Sequence, residues 1–126
     1  MNMMRAMQQY QRVNLQSAVF EASPHRLIQM LMHGGLERIA QAKGAIERNQ
    51  AAERGELIGK AISIVGGLRE PLDHSVGGEL SQNLDMLYEY IIQRLIEANR
   101  DADVAKLDEV AGLLREVKSG WDAIAP

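Results

Sequence analysis

Six apolar residues near the end of the chain, Leu107, Val110, Leu114, Val117, Trp121 and Ile124, recur at spacings of 3, 4, 3, 4 and 3. That seam lies along one face of an α-helix and along no face of a strand, so it sets both the element and the side to be buried. Three other stretches carry the same period. Ile28, Leu31, Gly35, Ile39, Ala42 and Ile46 are spaced 3, 4, 4, 3 and 4, and Leu80, Leu84, Leu87, Ile91, Leu95 and Ala98 are spaced 4, 3, 4, 4 and 3. Between them lie Ile58, Ile62, Val65, Leu68 and Leu72. β-Branched residues form no alternating runs, and Pro24, Pro71 and Pro126 are the only prolines. Four amphipathic helices of about 20 residues follow from this pattern.

The boundaries carry their own chemistry. In "EASPHRLIQML", Ser23 can cap a helix and Pro24 suits the first helical position, where a missing N–H is no loss. "ERNQAAERG" is a polar break, "PLDHSVGG" ends the second helix, and Asp101 or Asp103 in "ANRDAD" is the next cap. Glu56 and Lys60 stand four apart in the favourable order. Gly34 and Gly35 in mid-helix cost about 1 kcal/mol each against Ala, a cost a helix tolerates where something approaches closely. Short turns make neighbouring helices antiparallel. The expected fold is all-α: one domain over residues 1–126, an antiparallel up-down four-helix bundle. Its helices are expected near 24–48, 52–71, 78–99 and 103–123, and residues 1–22 are left as a short mobile N-terminal helix or cap.

Composition narrows the function. The 126 residues include no cysteine, which removes disulfides and thiolate chemistry and suits a cytoplasmic protein. Aromatic residues are 4% of the chain, so the core must be largely aliphatic. A net charge of −3 with no run of Lys and Arg argues against nucleic acid, which needs a basic face. No segment approaches the roughly 18 apolar residues of a membrane span, and Gln8, Gln9, Gln11 and Arg12 interrupt any signal-peptide core.

Catalytic patterns are lacking as well. Bundles that hold two metals use Glu-x-x-His pairs, but Ala22, Met30 and Pro71 stand three residues before His25, His33 and His74. The serines sit mostly at caps or turns, and none of the three Gly-Gly pairs belongs to a phosphate cradle. No enzyme activity, metal or cofactor is expected. Two other classes stand beside a binding protein: a phosphotransfer bundle using His33, or a structural bundle that self-associates. Phosphotransfer domains usually carry Lys and Gly three and four positions after the histidine, where this chain has Leu36 and Glu37.

The ordered set of motifs resembles the flagellar export chaperone family of FliS type over nearly the whole chain. It comprises an isolated Tyr10, "SPHRLIQML", "GGLERIAQAKGAIE", "IGKAISIVGGL", "GGELSQNLDMLYEYI", Ala98–Asn99 and "LDEVAGLLREVKSGW". Met32 and His33 stand where the family usually has an aromatic and an acidic residue, and Gly35 where Ala is usual. The resemblance implies a cytosolic chaperone that binds the disordered C-terminal segment of flagellin, blocks premature polymerisation and helps deliver the subunit to the export gate. An anti-sigma regulator is a further partner within the family's range, and the free protein is expected to be a monomer or weak homodimer.

A client that wraps a bundle needs a long apolar track. The third helix offers Leu84, Leu87, Tyr88, Ile91, Ile92, Leu95 and Ile96, a wider face than a core seam. The expected flagellin-binding residues are Met7, Tyr10, Ile28, Leu31, Leu84, Leu87, Tyr88 and Ile91. Met3, Met4 and Met7 with Tyr10 make a short, adaptable apolar face, read as a removable cover over the client groove. Trp121 is read as core, and Asn83 and Asn99 as cap or turn residues.

Overall fold

The computed structural model describes residues 22–72 and 74–124, with residues 74–76 described at the backbone alone. Among the described residues there are four helices: α1 (Pro24–Glu47), α2 (Ala51–Arg69), α3 (His74–Asp101) and α4 (Val104–Ala123). There is no strand among them. The all-α expectation holds. The expected N-terminal cap segment, apart from Ala22, lies outside the described residues.

Each helix packs on its neighbour in sequence, and α4 closes back onto α1. Side-chain contacts give the directions. Arg54 and Arg69, towards the two ends of α2, reach Asn99 in the last turn of α3 and Asp85 in its first half, so α2 and α3 run oppositely. Lys43 pairs with Asp108 while Gln29 bonds Asp122, so α1 and α4 run oppositely. Tyr90 and Glu97 of α3 meet Glu109 and Lys106 of α4. The result is the antiparallel up-down bundle.

The turns are built from cap chemistry. Ser23 Oγ accepts from the Arg26 N–H at 3.1 Å, with Pro24 opening α1. After α1 the Asn49 and Gln50 N–H groups bond the carbonyls of Ile46 and Ala45, and Asn49 takes φ 57°. That is a Schellman motif with Asn at the left-handed position. Ala102 takes the same role after α3, at φ 50°, with the Asp103 N–H returning to Ala98 O. Asp103 then caps α4 by accepting from the Lys106 N–H. Helix α3 starts four residues before the expected position 78, but its geometry breaks there. Gly78 at φ 55° and ψ −129° adopts a mirror-extended conformation open to glycine. Asn83 lies inside α3 rather than at a cap.

The core is aliphatic and uneven. Ile58, Val65, Ile91, Leu95, Leu107, Val110 and Leu114 are fully buried, with Ala42, Ala45, Ala61 and Ala98 letting the helices approach. Gly35 makes the tightest glycine contact between helices: a Cβ there would lie 3.2 Å from Leu114 Cδ2 and 3.4 Å from Ile64 Cγ2. The close approach expected of the mid-helix glycines is therefore made at Gly35. At the end formed by the start of α1, the end of α2, the start of α3 and the end of α4, the seams loosen. Ile28, Leu72, Leu84, Val117 and Trp121 are only partly buried there. Leu80 (68% exposed) and Ile124 (56%), both on expected core seams, face water.

Candidate functional site

The loose end of the bundle holds a cavity of about 310 Å³. All four helices contribute: Ile28 and Met32 from α1, Leu68 from α2, Ser81, Leu84 and Tyr88 from α3, and Val117 and Trp121 from α4. Pro71 and Leu72, in the connection after α2, and Gly77 complete the wall. Among the described residues, no carboxylate, amine, guanidine or imidazole group lines it. Burial pushes the Tyr88 phenol up from its ordinary value, as a low-dielectric wall would.

Trp121 closes one side. Its indole N–H donates to the His25 carbonyl at 3.0 Å, and its ring stacks on the His25 imidazole with centroids 4.9 Å apart and 16° between planes. Beside it, Gln29 donates to Asp122 at 2.8 Å, and Lys118 holds the same carboxylate at 2.7 Å. These hydrogen bonds, Lys118's first, keep the Asp122 carboxyl below its ordinary range. The last turn of α4 is thus tied to the first turns of α1.

The expected site residues divide. Ile28, Leu84 and Tyr88 meet in the cavity. Leu31 and Leu87 are partly buried and pack on the core nearby. Ile91 is wholly enclosed in the core and has no surface to offer. Met7 and Tyr10, with Met3 and Met4, lie outside the described residues. Met32, Val117 and Trp121 were not among the expected binding residues. Met32 is 1% exposed and forms the cavity's floor, and Trp121 is a wall residue rather than sealed core. One signal for Trp121 was present: it is the only tryptophan, and it sits near the end of a seam where a bundle runs out of neighbours.

His33 is exposed and pairs with Glu37 across 3.0 Å. Among the described residues there is no group of three or more His, Asp or Glu arranged to hold a metal. No helix among them is long and apolar enough to cross a membrane.

The chain matches the family described as "Flagellar protein FliS" over residues 6–126. It belongs to the FliS family. Its relatives include the flagellar secretion chaperone FliSB of Pseudomonas aeruginosa, 64% identical over 122 residues, covering 97% of each chain. The flagellar secretion chaperones FliS of Salmonella typhimurium and Vibrio cholerae are 41% and 40% identical, covering 93% and 96% of this chain and 87% and 89% of theirs. The ordered motifs thus resolve into membership of the FliS family, a chaperone family rather than an enzyme family. In this FliS-family bundle the largely apolar cavity lies at the end where the chain enters α1.

Proposed function

We propose that this protein is a cytosolic export chaperone for flagellin. It binds the disordered C-terminal segment of flagellin, prevents premature polymerisation and aids delivery to the flagellar type III export apparatus. No chemistry is catalysed. Membership of the FliS family carries the reading, since the relatives are named flagellar secretion chaperones. The largely apolar cavity at the open end of the bundle supports it physically. A wrapping client is held by burial of apolar surface, at about 25 cal/mol per Å², less the cost of ordering it. Ile28, Leu31, Leu84 and Leu87, all partly buried, supply such surface on α1 and α3, and Tyr88, only 3% exposed, lines the cavity behind them. Met7 and Tyr10 join them as the segment leading into α1, a cover that the client displaces or shares. Ile91 contributes from beneath, by holding α3 in register.

Calorimetric titration with the C-terminal segment of a flagellin from the same organism tests the reading. Saturable one-to-one binding is expected, weakened about tenfold or more by Tyr10→Ala with the helical signal intact. A folded protein that gives no heat with the segment would end it.

A further inference from the structure

The end of α4 is folded against its own sequence. It reads Ser119, Gly120, Trp121, Asp122 and Ala123, and serine, glycine and aspartate are all weak helix formers. No basic residue stands in the last turn to meet the negative end of the helix dipole, and Asp122 adds a negative charge there. Its partner on the same helix, Lys118, precedes it by four positions, the less favourable order for such a pair. The other helix ends are closed locally. Arg69 and Arg100 stand in the last turns of α2 and α3, and left-handed Asn49 and Ala102 turn the chain after α1 and α3. At the end of α4, Ser119, Gly120, Asp122 and Ala123 are exposed, and Trp121 is the residue that packs on the core.

What holds this turn comes from α1. Gln29 Nε2 donates to Asp122 Oδ1 at 2.8 Å, across 93 positions of sequence. One turn earlier on α1, the His25 carbonyl accepts the Trp121 indole N–H and the His25 ring stacks on the indole. Two adjacent residues of α4 are thus gripped by two residues one turn apart on α1. A helix end held by a few such contacts opens at lower free energy than the core beneath it. The polar links from α4 to α3, at Lys106 and Glu109, belong to the first two turns of α4 and stay closed when its end opens.

We propose that Gln29 and Asp122 are positioning residues: their hydrogen bond keeps the last turn of α4 folded on α1, and that turn opens and closes as a latch, independently of the bundle core. The consequence for binding rests on the chaperone reading; the latch itself does not. Trp121 is carried on this turn and walls the cavity, so the shape that α4 presents to the flagellin segment is fixed while the latch is closed. A segment that selects the closed latch binds more weakly as the open fraction grows.

Amide hydrogen exchange, followed by NMR in the full-length protein, reads the latch without any client. The amides of residues 119–123 should exchange together, about tenfold or more faster than those of residues 110–114. Gln29→Ala leaves the sequence of α4 untouched, yet should speed exchange at 119–123 by about threefold to tenfold and leave 110–114 as they were. Gln29→Glu sets a second carboxylate against Asp122 and should speed it further, whereas Gln29→Arg restores a donor and should bring it back. In calorimetry, Gln29→Glu should weaken the flagellin segment by about threefold or more, and Gln29→Arg should restore it. Exchange at 119–123 that ignores all three substitutions is plain end fraying and overturns the latch. Acceleration that reaches 110–114 equally overturns it too, since α4 then opens whole. Segment affinity untouched by Gln29→Glu, with the exchange order intact, overturns the positioning role. A wild-type protein with the expected exchange that binds no segment overturns the chaperone reading instead.

Discussion

Single residues in this bundle are tuned mainly by their immediate neighbours. Asp101 shows it most strongly. Arg100 Nε and Nη2 donate to its two carboxylate oxygens at 2.9 and 2.8 Å, and Lys106 stands 3.5 Å away. The Arg100 hydrogen bonds, foremost, bring the Asp101 carboxyl down to about 2, against a smaller opposing effect of burial. Its folded pKa lies below the ordinary aspartate value of about 3.9. Any stability it contributes is therefore complete above about pH 4 and lost as the pH falls through about 2. A carboxyl-carbon NMR titration should place its midpoint near 2, and Arg100→Ala should return it towards the ordinary range. A wild-type midpoint near 4 would show that the pair does not persist in solution. Glu109 is lowered in the same sense, by hydrogen bonds from Arg94 and then Tyr90. Acid should thus loosen the α3–α4 pair through two carboxylates, neither of which lines the cavity.

Helix ends show what local sequence can and cannot specify. Ser23 before Pro24, and Asp103 before the last helix, were readable because a cap is made by residues three positions apart. The turn after α3 has an imperfection that follows from the same chemistry. Ala102 occupies a left-handed position at φ 50°, where a Cβ is unfavourable by about 1 to 2 kcal/mol. Ala102→Gly removes that cost and widens the unfolded ensemble, for a net gain of about 1 kcal/mol in chemical denaturation at an unchanged m-value. A loss of stability would mean that Ala102 makes contacts that outweigh its strain. The registers of the seams were readable too, but depth along the bundle axis was not. Leu80 and Ile124 keep the helical period of their seams and still face water, because the neighbouring helices no longer cover them. Met32, outside the 28–31–35 stripe, is sealed, whereas Ile28 on that stripe is not. Periodicity assigns a side of a helix; the ends of its neighbours decide whether that side is covered. The Trp121–His25 contact spans 96 positions and no local pattern announces it.

The whole molecule divides its work between two ends. At the closed end Leu95, Ala98, Leu107 and Val110 are fully buried, so a truncation there leaves a cavity that close-packed neighbours fill only in part. The open end exposes apolar surface that a freestanding bundle would have covered, which is tolerable where a partner is meant to cover it. This division makes stability and binding separable. Leu95→Ala empties a site enclosed on every side and should cost about 3 to 5 kcal/mol, read as a lower denaturation midpoint at constant m. The same truncation at Leu84 removes a side chain already partly exposed at the cavity wall, and the loss should be about 1 to 2 kcal/mol. Their effects on the flagellin segment should run the other way. At a temperature where both variants remain folded, Leu84→Ala should weaken the segment by about tenfold and Leu95→Ala by less than about threefold. Equal penalties in both measurements would place the binding surface along the length of α3 rather than at its open end. The cavity would then be a packing defect that the chain has never needed to close.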